Sequence, residues 1–311
     1  EDNKKTITDA YNKLLINQFH DILPGSSIHR VYEECNARYE IIKKRLNDII
    51  DDRVYFLCSD DNSFVALNSI DFERTGYLKH NNEWYRYSLA PYSSGKLEKA
   101  DLPASLHFSN NVIENEHLKV VFNNMGQIEK IVDKPNNYNC VSSSFNAVRI
   151  YKDRFVHPYN AWDIDINYTK HKPRDMKLAQ SREYCDGNSV VRENKFVYNS
   201  SSLVQRIILT ENCPYIKVEN EVDWHETHKM LRIDAYPKNF NEKVLCDIQF
   251  GNIQRSTKTD NKIVFAQFEI PAHKWVDVYD GKYGVAILND CKYGHRVKDG
   301  LISLNCLRSP V

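Results

Sequence analysis

Two consecutive stretches of the chain read SLVQRIIL at residues 202–209 and YIKVENEV at residues 215–222. Both are short, rich in β-branched residues and separated by residues that favour turns, which is typical of neighbouring β-strands. Similar runs recur at residues 63–68, 118–122, 262–270 and 284–288. Turn signals are frequent, at residues 123–126, 186–188, 280–281 and 299–300. Many short strands with frequent turns predict antiparallel sheets packed as sandwiches.

The amino-terminal part of the chain has a helical pattern instead. Apolar residues recur near a 3.6-residue period over residues 7–19 and again over residues 28–50. Pro24 and Gly25 stop the first helix, and Ser26 or Ser27 is suited to cap the second. The sequence therefore predicts a helical hairpin joined by a tight polar turn. The acidic pair at residues 51–52 is predicted to be a solvated linker.

These patterns divide the chain into three predicted domains. Residues 1–52 form a helical segment, residues 53–104 a small β-sandwich and residues 105–311 a large antiparallel β-sandwich. A polar stretch with Pro91, Gly95 and Pro103 marks the second boundary. A strand-like run at 301–307 lies close to residue 311, which fits either a natural end or a cut through a sheet. The large sandwich is predicted to be truncated at its carboxyl end. The predicted fold class is mainly β, with an amino-terminal helical segment.

Charge and cysteine content argue against several classes of protein. The 42 basic residues equal the 42 acidic residues, so no net charge favours nucleic acid or a membrane surface as a partner. No apolar run reaches the roughly 18–20 residues of a membrane helix, and the charged residues 1–5 show no signal peptide. The eight cysteines are scattered without a C-x-x-C pair, which favours reduced cysteines in a cytoplasmic protein.

The most concentrated polar cluster lies at residues 17–27, which read NQFHDILPGSS. His20 is placed near the carboxyl end of the first predicted helix, where the helix dipole favours a cation. Imidazole is a common zinc ligand, and the carboxylate of Asp21 is suited to hold a hydroxyl group. One histidine does not make a metal site, so the residues alone leave His20 as either a capping histidine or a ligand.

Two further clusters combine polar and aromatic residues. Trp162 offers a ring face of the kind that sugars stack on, and Asp163 and Asp165 would share one face of a strand. Such a pair marks either a substrate-binding rim or a solvated sheet face. His225 and His228 lack the spacing of a helical zinc motif and would point to opposite faces of a strand, which predicts structural roles for both.

A resemblance to a known family lies in residues 14–31, which read LLINQFHDILPGSSIHRV. This segment resembles the helix–turn–helix signature of glycoside hydrolase family 38 α-mannosidases. Later segments resemble the small and large β domains of that family in the same order, at residues 67–76, 113–128, 161–165, 271–277 and 283–294. The resemblance covers nearly the whole chain. It implies that the large sandwich is a galactose-mutarotase-like supersandwich.

The resemblance also implies an activity and roles for individual residues. In the family, zinc is bound by histidines and aspartates, and the position of His20 is one of these ligands. The position of Asp21 contacts sugar hydroxyl groups, and Trp162 and Asp163 become candidate substrate-binding residues. Zinc binds two hydroxyls of the mannose, one aspartate forms a covalent mannosyl-enzyme, and a second carboxyl group acts as acid and then base. The implied reaction is retaining hydrolysis of terminal α-linked mannose from oligosaccharides.

The chain departs from the family pattern in one respect. The other zinc ligands, the nucleophile and the acid/base residue belong to an amino-terminal α/β domain that nothing in this sequence matches. We therefore expect that the chain contains no catalytic carboxylate, and that alone it neither hydrolyses mannosides nor holds zinc tightly. A rival hypothesis is a non-catalytic carbohydrate-binding or assembly module, because fold does not fix function. An exposed sheet edge also predicts some self-association, as a homo-oligomer or aggregate.

Overall fold

A computed structural model describes residues 3–57, 65–101, 106–153 and 159–310 of the chain. Two compact units are distinguished: Glu1–Ala100 with Ala161–Asp163, and Asp101–Asn160 with Ile164–Val311. The described part of the first unit holds two long helices and two small sheets, and that of the second holds four larger sheets. The prediction of a mainly β fold with an amino-terminal helical segment is confirmed.

The helical hairpin consists of α1 (Asn3–Asn17) and α2 (His29–Leu57). Ala10 and Asn17 are buried on α1, and Cys35 and Ile42 are buried on α2. Each pair is seven residues apart, which places its members on one face of a helix. On α2 the buried side chains follow the apolar period that predicted the helix. On α1 only Ala10 of the predicted apolar stripe is buried, and Leu15 is 59% exposed.

The second helix continues beyond the predicted domain boundary at residue 52. Asp51 and Asp52 lie on the exposed surface of α2 rather than in a linker. Acidic side chains are compatible with the solvent face of a helix, and no proline or glycine interrupts the chain before Leu57. The predicted boundary at residue 104 lies outside the described residues, as do Pro103 and the first residues of the strand predicted at 63–68.

Two small antiparallel sheets follow the helices in the first unit. One pairs two strands, β1 (Val65–Leu67) and β4 (Ser94–Lys96). The other joins three strands, β2 (Arg74–His80), β3 (Glu83–Leu89) and β5 (Glu98–Lys99). The β2–β3 hairpin turns at Asn81 and Asn82, whose φ angles are 48° and 65°. Asparagine tolerates this left-handed conformation, which two-residue hairpin turns require.

The described part of the second unit contains four antiparallel sheets. In spatial order, the five-stranded sheet is β10 (Tyr138–Asn139), β9 (Ile128–Asp133), β8 (Leu118–Phe122), β7 (Val112–Glu114) and β6 (His107–Ser109). The six-stranded sheet is β12 (Arg174–Asp175), β11 (Ala147–Lys152), β17 (Lys229–Ala235), β24 (Leu301–Ser309), β23 (Gly294–Lys298) and β20 (Ile270–Pro271). One four-stranded sheet is β13 (Lys177–Asp186), β14 (Ser189–Tyr198), β15 (Ser201–Thr210) and β16 (Lys217–Asp223). The other is β19 (Gly251–Ser256), β18 (Lys243–Ile248), β21 (Trp275–Tyr279) and β22 (Gly284–Leu288).

The long strand β15 shows how the sequence produces these sheets. Its side chains alternate between buried and half-buried from Ser201 to Thr210, as expected for a strand with one face on a core. Gly187 adopts a φ of 63° in the turn between β13 and β14, and Asp299 and Gly300 adopt φ angles of 56° and 78° between β23 and β24. These residues tolerate positive φ, and the turns predicted at both places are confirmed.

Apolar side chains of the sheets form separate core layers. One layer joins the five-stranded sheet to β14 and β15, with Ile113 and Ile207 fully buried. A second layer joins the six-stranded sheet to the same two strands, with Ile150 and Leu203 at its centre. A third layer joins β18 and β21 to β23 and β24. Sheets that pack face to face over such layers form the predicted sandwich.

The opposite face of the six-stranded sheet is polar, yet it is also buried. Arg232 and Asp234 of β17 and Ser303 of β24 are at most 1% exposed. The Arg232 Nε donates to Ser303 Oγ at 2.8 Å, and Ser303 Oγ donates to Asp234. Asp234 Oδ2 also accepts from the Tyr151 hydroxyl at 2.6 Å and from Arg149 Nη1 at 3.1 Å. These bonds link three adjacent strands.

Arg232 is neutralised by a carboxylate from another part of the chain. Its Nη1 and Nη2 lie 2.9 and 3.1 Å from Oε1 and Oε2 of Glu269. Tyr168, in the 3₁₀ helix Ile166–Lys170, donates its hydroxyl to the same carboxylate. Burial is the largest single influence and would lower the pKa of the Arg232 guanidinium. The charge of Glu269, its hydrogen bond to Arg232 and the nearby Tyr168 and Asp234 together outweigh burial, and the pKa is raised. The buried guanidinium therefore stays charged.

One predicted strand is wrong. The sequence pattern at residues 262–270 predicts a strand, but the chain forms helix α3 (Lys262–Ala266) before the short strand β20 begins. Asn261 accounts for the difference, because its side-chain oxygen accepts the N–H of Val264 at 2.9 Å. This capping bond satisfies locally an amide that a strand would pair with a neighbouring strand.

Two structural findings bear on the predictions from composition. In the described parts of the chain, no helix combines the length and apolar character needed to cross a bilayer. The seven cysteines there, a set that omits Cys58, are free and form no disulfide with one another. Cys35 and Cys246 are buried like small apolar side chains.

Candidate functional site

The polar cluster predicted at residues 17–27 forms an irregular turn between α1 and α2. The amides of residues 22 and 23 both donate to the carbonyl of Phe19, at 2.9 and 3.2 Å. Gly25 adopts a φ of 80°, a conformation that costs glycine little. Pro24 has no N–H and cannot continue helical pairing. The turn thus places His20 and Asp21 between the ends of two helices.

Three hydroxyl groups converge on the backbone carbonyl of Asp21. Ser27 donates at 2.8 Å, and Ser26 and Tyr32 each donate at 3.4 Å. The Tyr32 hydroxyl oxygen also accepts the N–H of Ser27 at 2.9 Å. The predicted capping role of the serines is therefore wrong. Their hydroxyls turn back to a carbonyl of the turn, and α2 begins only at His29.

The side chains of His20 and Asp21 lie next to each other. His20 Nε2 is 3.6 Å from Asp21 Oδ2, and the imidazole is 74% exposed while the carboxylate is 33% exposed. Within the described residues, the other carboxylate oxygen, Oδ1, is buried and has no hydrogen-bond partner. A buried acceptor without a donor is unfavourable. Within the described residues, Asp21 therefore keeps one unsatisfied oxygen below the surface, while a third of its side chain is exposed.

A buried amide holds the end of α1 on α2. Asn17 is 1% exposed. Its Oδ1 accepts from Arg38 Nη1 and from Cys35 Sγ, both at 3.2 Å, and its Nδ2 donates to the Cys35 carbonyl at 3.4 Å. Asn17 lies three residues before His20, so these bonds fix the start of the turn.

Sequence reasoning missed the contribution of α2 to this turn. It placed Asn17 in the polar cluster without a role, and it did not single out Tyr32. A signal was available, because Tyr32 and Cys35 are three residues apart and so lie on one face of α2. That face also contacts Asn17 and Asp21.

Trp162 lies in a turn, and Asp163 follows it outside any helix or strand. Trp162 is 66% exposed, and Asp163 is also exposed. With Ala161 they belong to the first compact unit, which also contains His20 and Asp21. The two predicted groups of substrate-binding residues therefore occur in the same unit.

The predicted pairing of Asp163 with Asp165 on one strand face is wrong. Asp165 caps the 3₁₀ helix, and its Oδ1 accepts the backbone and side-chain amides of Asn167, both at 2.8 Å. A cap bond of this kind starts a helical turn, so the two carboxylates do not follow a strand period. Asp165 therefore has a structural role.

His225 and His228 lie in the connection between β16 and β17. The Nε2 of His225 is 2.9 Å from Asp223 Oδ1, and His228 adopts a φ of 50°. An ion pair and a turn conformation fit the structural roles that the sequence predicts for these histidines.

His20 fits one ligand position of a zinc site but does not complete it. Among the described residues, no three histidine, cysteine, aspartate or glutamate side chains converge as a metal site. The His20 imidazole is accessible, and the adjacent Asp21 carboxylate is placed to orient it. Zinc in proteins takes three or four protein ligands. His20 can therefore hold zinc only together with ligands beyond this pair.

Two family models match the chain. A model described as the alpha mannosidase middle domain matches residues 1–57, which contain His20 and Asp21. A model described as the glycosyl hydrolases family 38 C-terminal domain matches residues 113–311, which contain Trp162 and Asp163. Both groups of candidate residues therefore lie in matched regions.

Several curated relatives are α-mannosidases. Alpha-mannosidase 2C1 of Homo sapiens is 26% identical over 324 residues, which cover 96% of this chain and 31% of the human protein. Alpha-mannosidase G of Dictyostelium discoideum is 26% identical over 377 residues, covering 98% of this chain and 34% of that protein. The Alpha-mannosidase of Saccharomyces cerevisiae is 28% identical over 325 residues, which cover 98% of this chain and 29% of the yeast protein. The chain spans about a third of the length of these relatives.

Solved structures share the fold. The crystal structure of an alpha-mannosidase from Enterococcus faecalis V583 matches 99% of this chain and 47% of its own with a TM-score of 0.77, at 14% sequence identity. A protein in the Glycosyl Hydrolase Family 38 from Enterococcus faecalis matches 98% of this chain and 48% of its own with a TM-score of 0.74, also at 14% identity. Since the C-terminal domain model of the family matches more than half of the residues, the chain belongs to glycosyl hydrolase family 38.

Proposed function

We propose that these 311 residues are the middle and C-terminal parts of a zinc-dependent retaining α-mannosidase that removes terminal α-linked mannose from oligosaccharides. One observation carries the proposal. The exposed imidazole of His20 lies 3.6 Å from the Asp21 carboxylate, whose second oxygen is buried without a donor among the described residues. This arrangement lies in the segment that matches the α-mannosidase middle domain.

His20 and Asp21 have different roles in this proposal. His20 supplies one nitrogen to the zinc ion, which when bound is a Lewis acid for the sugar hydroxyls. Asp21 accepts a hydrogen bond from a hydroxyl of the mannose through the exposed part of its carboxylate. The exposed ring of Trp162 offers a stacking surface for the sugar, and Asp163 binds a further hydroxyl.

The catalytic carboxylates are proposed to lie outside this chain. Its relatives are about three times longer, and a glycosidase needs two carboxylates at the scissile bond. A single imidazole also provides too few ligands to strip zinc of its water. We therefore propose that the chain alone is inactive and does not retain zinc.

We propose four further features of the protein. They are a three-domain division with small and large β-sandwiches, a cytoplasmic location, a mannose-containing oligosaccharide as partner rather than nucleic acid or a membrane, and self-association through exposed sheet edges. The balanced charge of the chain supports the proposed partner, and the free cysteines of the described residues support the proposed location.

Zinc content and hydrolysis of p-nitrophenyl-α-mannoside test the proposal on the full-length protein and on the 311-residue chain. The full-length protein should hold stoichiometric zinc and turn over substrate, and the shorter chain should do neither. In the full-length protein, His20→Ala should abolish zinc retention. His29→Ala is the matched control, because that imidazole is 88% exposed on α2 and pairs with Glu33. If the full-length protein neither binds zinc nor hydrolyses the substrate, the carbohydrate-binding alternative replaces the enzyme.

A further inference from the structure

We infer that Tyr32 is a positioning residue, which holds the turn that carries His20 and Asp21 in the geometry needed to bind a mannose hydroxyl. This inference rests on the proposed function, because it assigns Asp21 a role in sugar binding. Tyr32 lies in the first turn of α2 and is half-buried. Its hydroxyl bonds to the Asp21 carbonyl near the start of the turn and to the Ser27 amide at its end.

The turn that carries His20 and Asp21 cannot fix its own conformation. It is irregular, its only glycine has a positive φ, and the His20 side chain is mostly exposed. Binding residues on loops need support from rigid elements if they are to stay within about 0.5 Å of a productive position. The nearest rigid elements are α1, which ends at Asn17, and α2, which begins at His29.

Helix α2 supplies this support at two points. Asn17, buried between the helices, ties the start of the turn to Cys35 and Arg38. Tyr32 ties the end of the turn, because its hydroxyl oxygen accepts the N–H of Ser27 at 2.9 Å.

The hydrogen bonds of the Tyr32 and Ser27 hydroxyl groups have compatible directions. A tyrosine hydroxyl has one proton, and here Tyr32 accepts from Ser27 and donates to the Asp21 carbonyl. Ser27 donates its own hydroxyl to the same carbonyl at 2.8 Å. The three groups form a closed ring of hydrogen bonds around the peptide that follows Asp21. A phenylalanine at position 32 would preserve the ring of the side chain and remove both bonds.

Tyr32→Phe tests the inference, with Tyr39→Phe as the matched control. Tyr39 is also half-buried on α2 but lies seven residues, or about two turns, further from the site. Hydrogen exchange of the Ser27 amide in the 311-residue chain should accelerate in Tyr32→Phe and remain unchanged in Tyr39→Phe. Ser27→Ala is a second variant, since it removes the 2.8 Å bond to Asp21 without changing a large side chain.

Kinetics of the zinc-loaded full-length protein provide the functional readout. Loss of the two hydrogen bonds of the Tyr32 hydroxyl should raise KM for the α-mannoside about fivefold in Tyr32→Phe, with kcat within about twofold. A merely structural defect would lower the folded fraction, and therefore kcat, and leave KM unchanged. Faster exchange without a change in KM would overturn the positioning role, and so would unchanged exchange of the Ser27 amide.

Asp21→Asn separates this inference from the proposed function. If Asp21→Asn raises KM and Tyr32→Phe does not, the proposed role of Asp21 stands and the positioning role of Tyr32 is refuted. If Asp21→Asn leaves KM unchanged, the proposed sugar contact is refuted, together with the inference that depends on it. A rise in KM in both variants, with no change in Tyr39→Phe, is the expected result.

Discussion

Replacing Glu269 by glutamine should strongly destabilise the second unit, because it removes the charge that neutralises Arg232. The guanidinium is fully buried and bonds to both oxygens of Glu269, at 2.9 and 3.1 Å. The same sheet face also holds Arg149 and the buried carboxylate of Asp234, and Arg296, whose Nη2 pairs with Asp299 at 3.0 Å. Glu269→Gln leaves one positive charge without its counter-charge.

The magnitude follows from what removal of one partner does to a buried ion pair. Such changes typically cost about 3–5 kcal/mol, because the remaining charge stays away from water. A second penalty arises because the glutamine amide directs a donor at a guanidinium that has only donors. Native domains are stable by only about 5–15 kcal/mol, so the variant should lose a large share of its stability.

Urea unfolding at pH 7, followed by tryptophan fluorescence, measures the effect. Glu219→Gln is the control in the same unit, since Glu219 pairs with Lys217 at 2.6 Å on an exposed strand face, and such pairs contribute less than about 1 kcal/mol. The double variant Arg232→Met with Glu269→Leu should recover much of the loss, because it removes both charges. A loss below about 1 kcal/mol for Glu269→Gln would show that water or a rearranged side chain already compensates Arg232, and the reasoning would fail.

Two further predictions concern stability. Burial lowers the pKa of His295 to about 4 from an ordinary 6.5, so the folded state prefers the neutral ring. The contribution of this group to the free energy of unfolding is fully present above pH 6.5 and falls by on the order of 3 kcal/mol as the pH drops towards 4. Urea unfolding at pH 7 and pH 5 checks this, and His295→Gln should remove most of that pH slope. Gly126 has a φ of 75°, and a Cβ added there would lie only 3.1 Å from Leu178 and Phe196. Gly126→Ala should therefore lower the free energy of unfolding by about 1–2 kcal/mol. At Gly251 an added Cβ would have no atom within 4 Å, so Gly251→Ala should leave stability nearly unchanged. Thermal unfolding of both variants measures the difference, and equal effects of the two changes would contradict the argument.

The pattern of apolar residues predicted strands well where one face of the strand meets an apolar core. The runs at residues 118–122 and 284–288 coincide with β8 and β22. The pattern failed at residues 262–270, where the cap bond of Asn261 to the amide of Val264 favoured a helix. A single side-chain bond at the right distance decided the local structure there, and hydrophobic periodicity carries no information about it.

The buried polar face was also beyond sequence reasoning. The segment LRIDA of β17 has alternating apolar and polar residues, which is the pattern of a strand with one face in water. Arg232 and Asp234 are nevertheless fully buried. Alternation predicts which side chains share a face, but not whether another segment, here the one with Tyr168, will cover that face.

The candidate site was predicted in part. The motif around His20 and Asp21 came from family resemblance and from its unusual density of polar residues. The support from Tyr32 and Asn17 depends on how two helices pack, and neither residue type is distinctive in sequence. Asp163 and Asp165 were paired on a strand that the chain does not form, because the cap bond of Asp165 starts a 3₁₀ helix.

The position of β24 within the six-stranded sheet has a consequence for synthesis on the ribosome. Its residues, Leu301–Ser309, lie between β17 and β23 and not at an edge. Until they emerge, β17 has an unpaired edge, and Arg232 and Asp234 lack the Ser303 hydroxyl that bridges them. The sheet therefore closes only after translation has passed residue 309, and pauses before that point would expose a strand edge to neighbouring nascent chains.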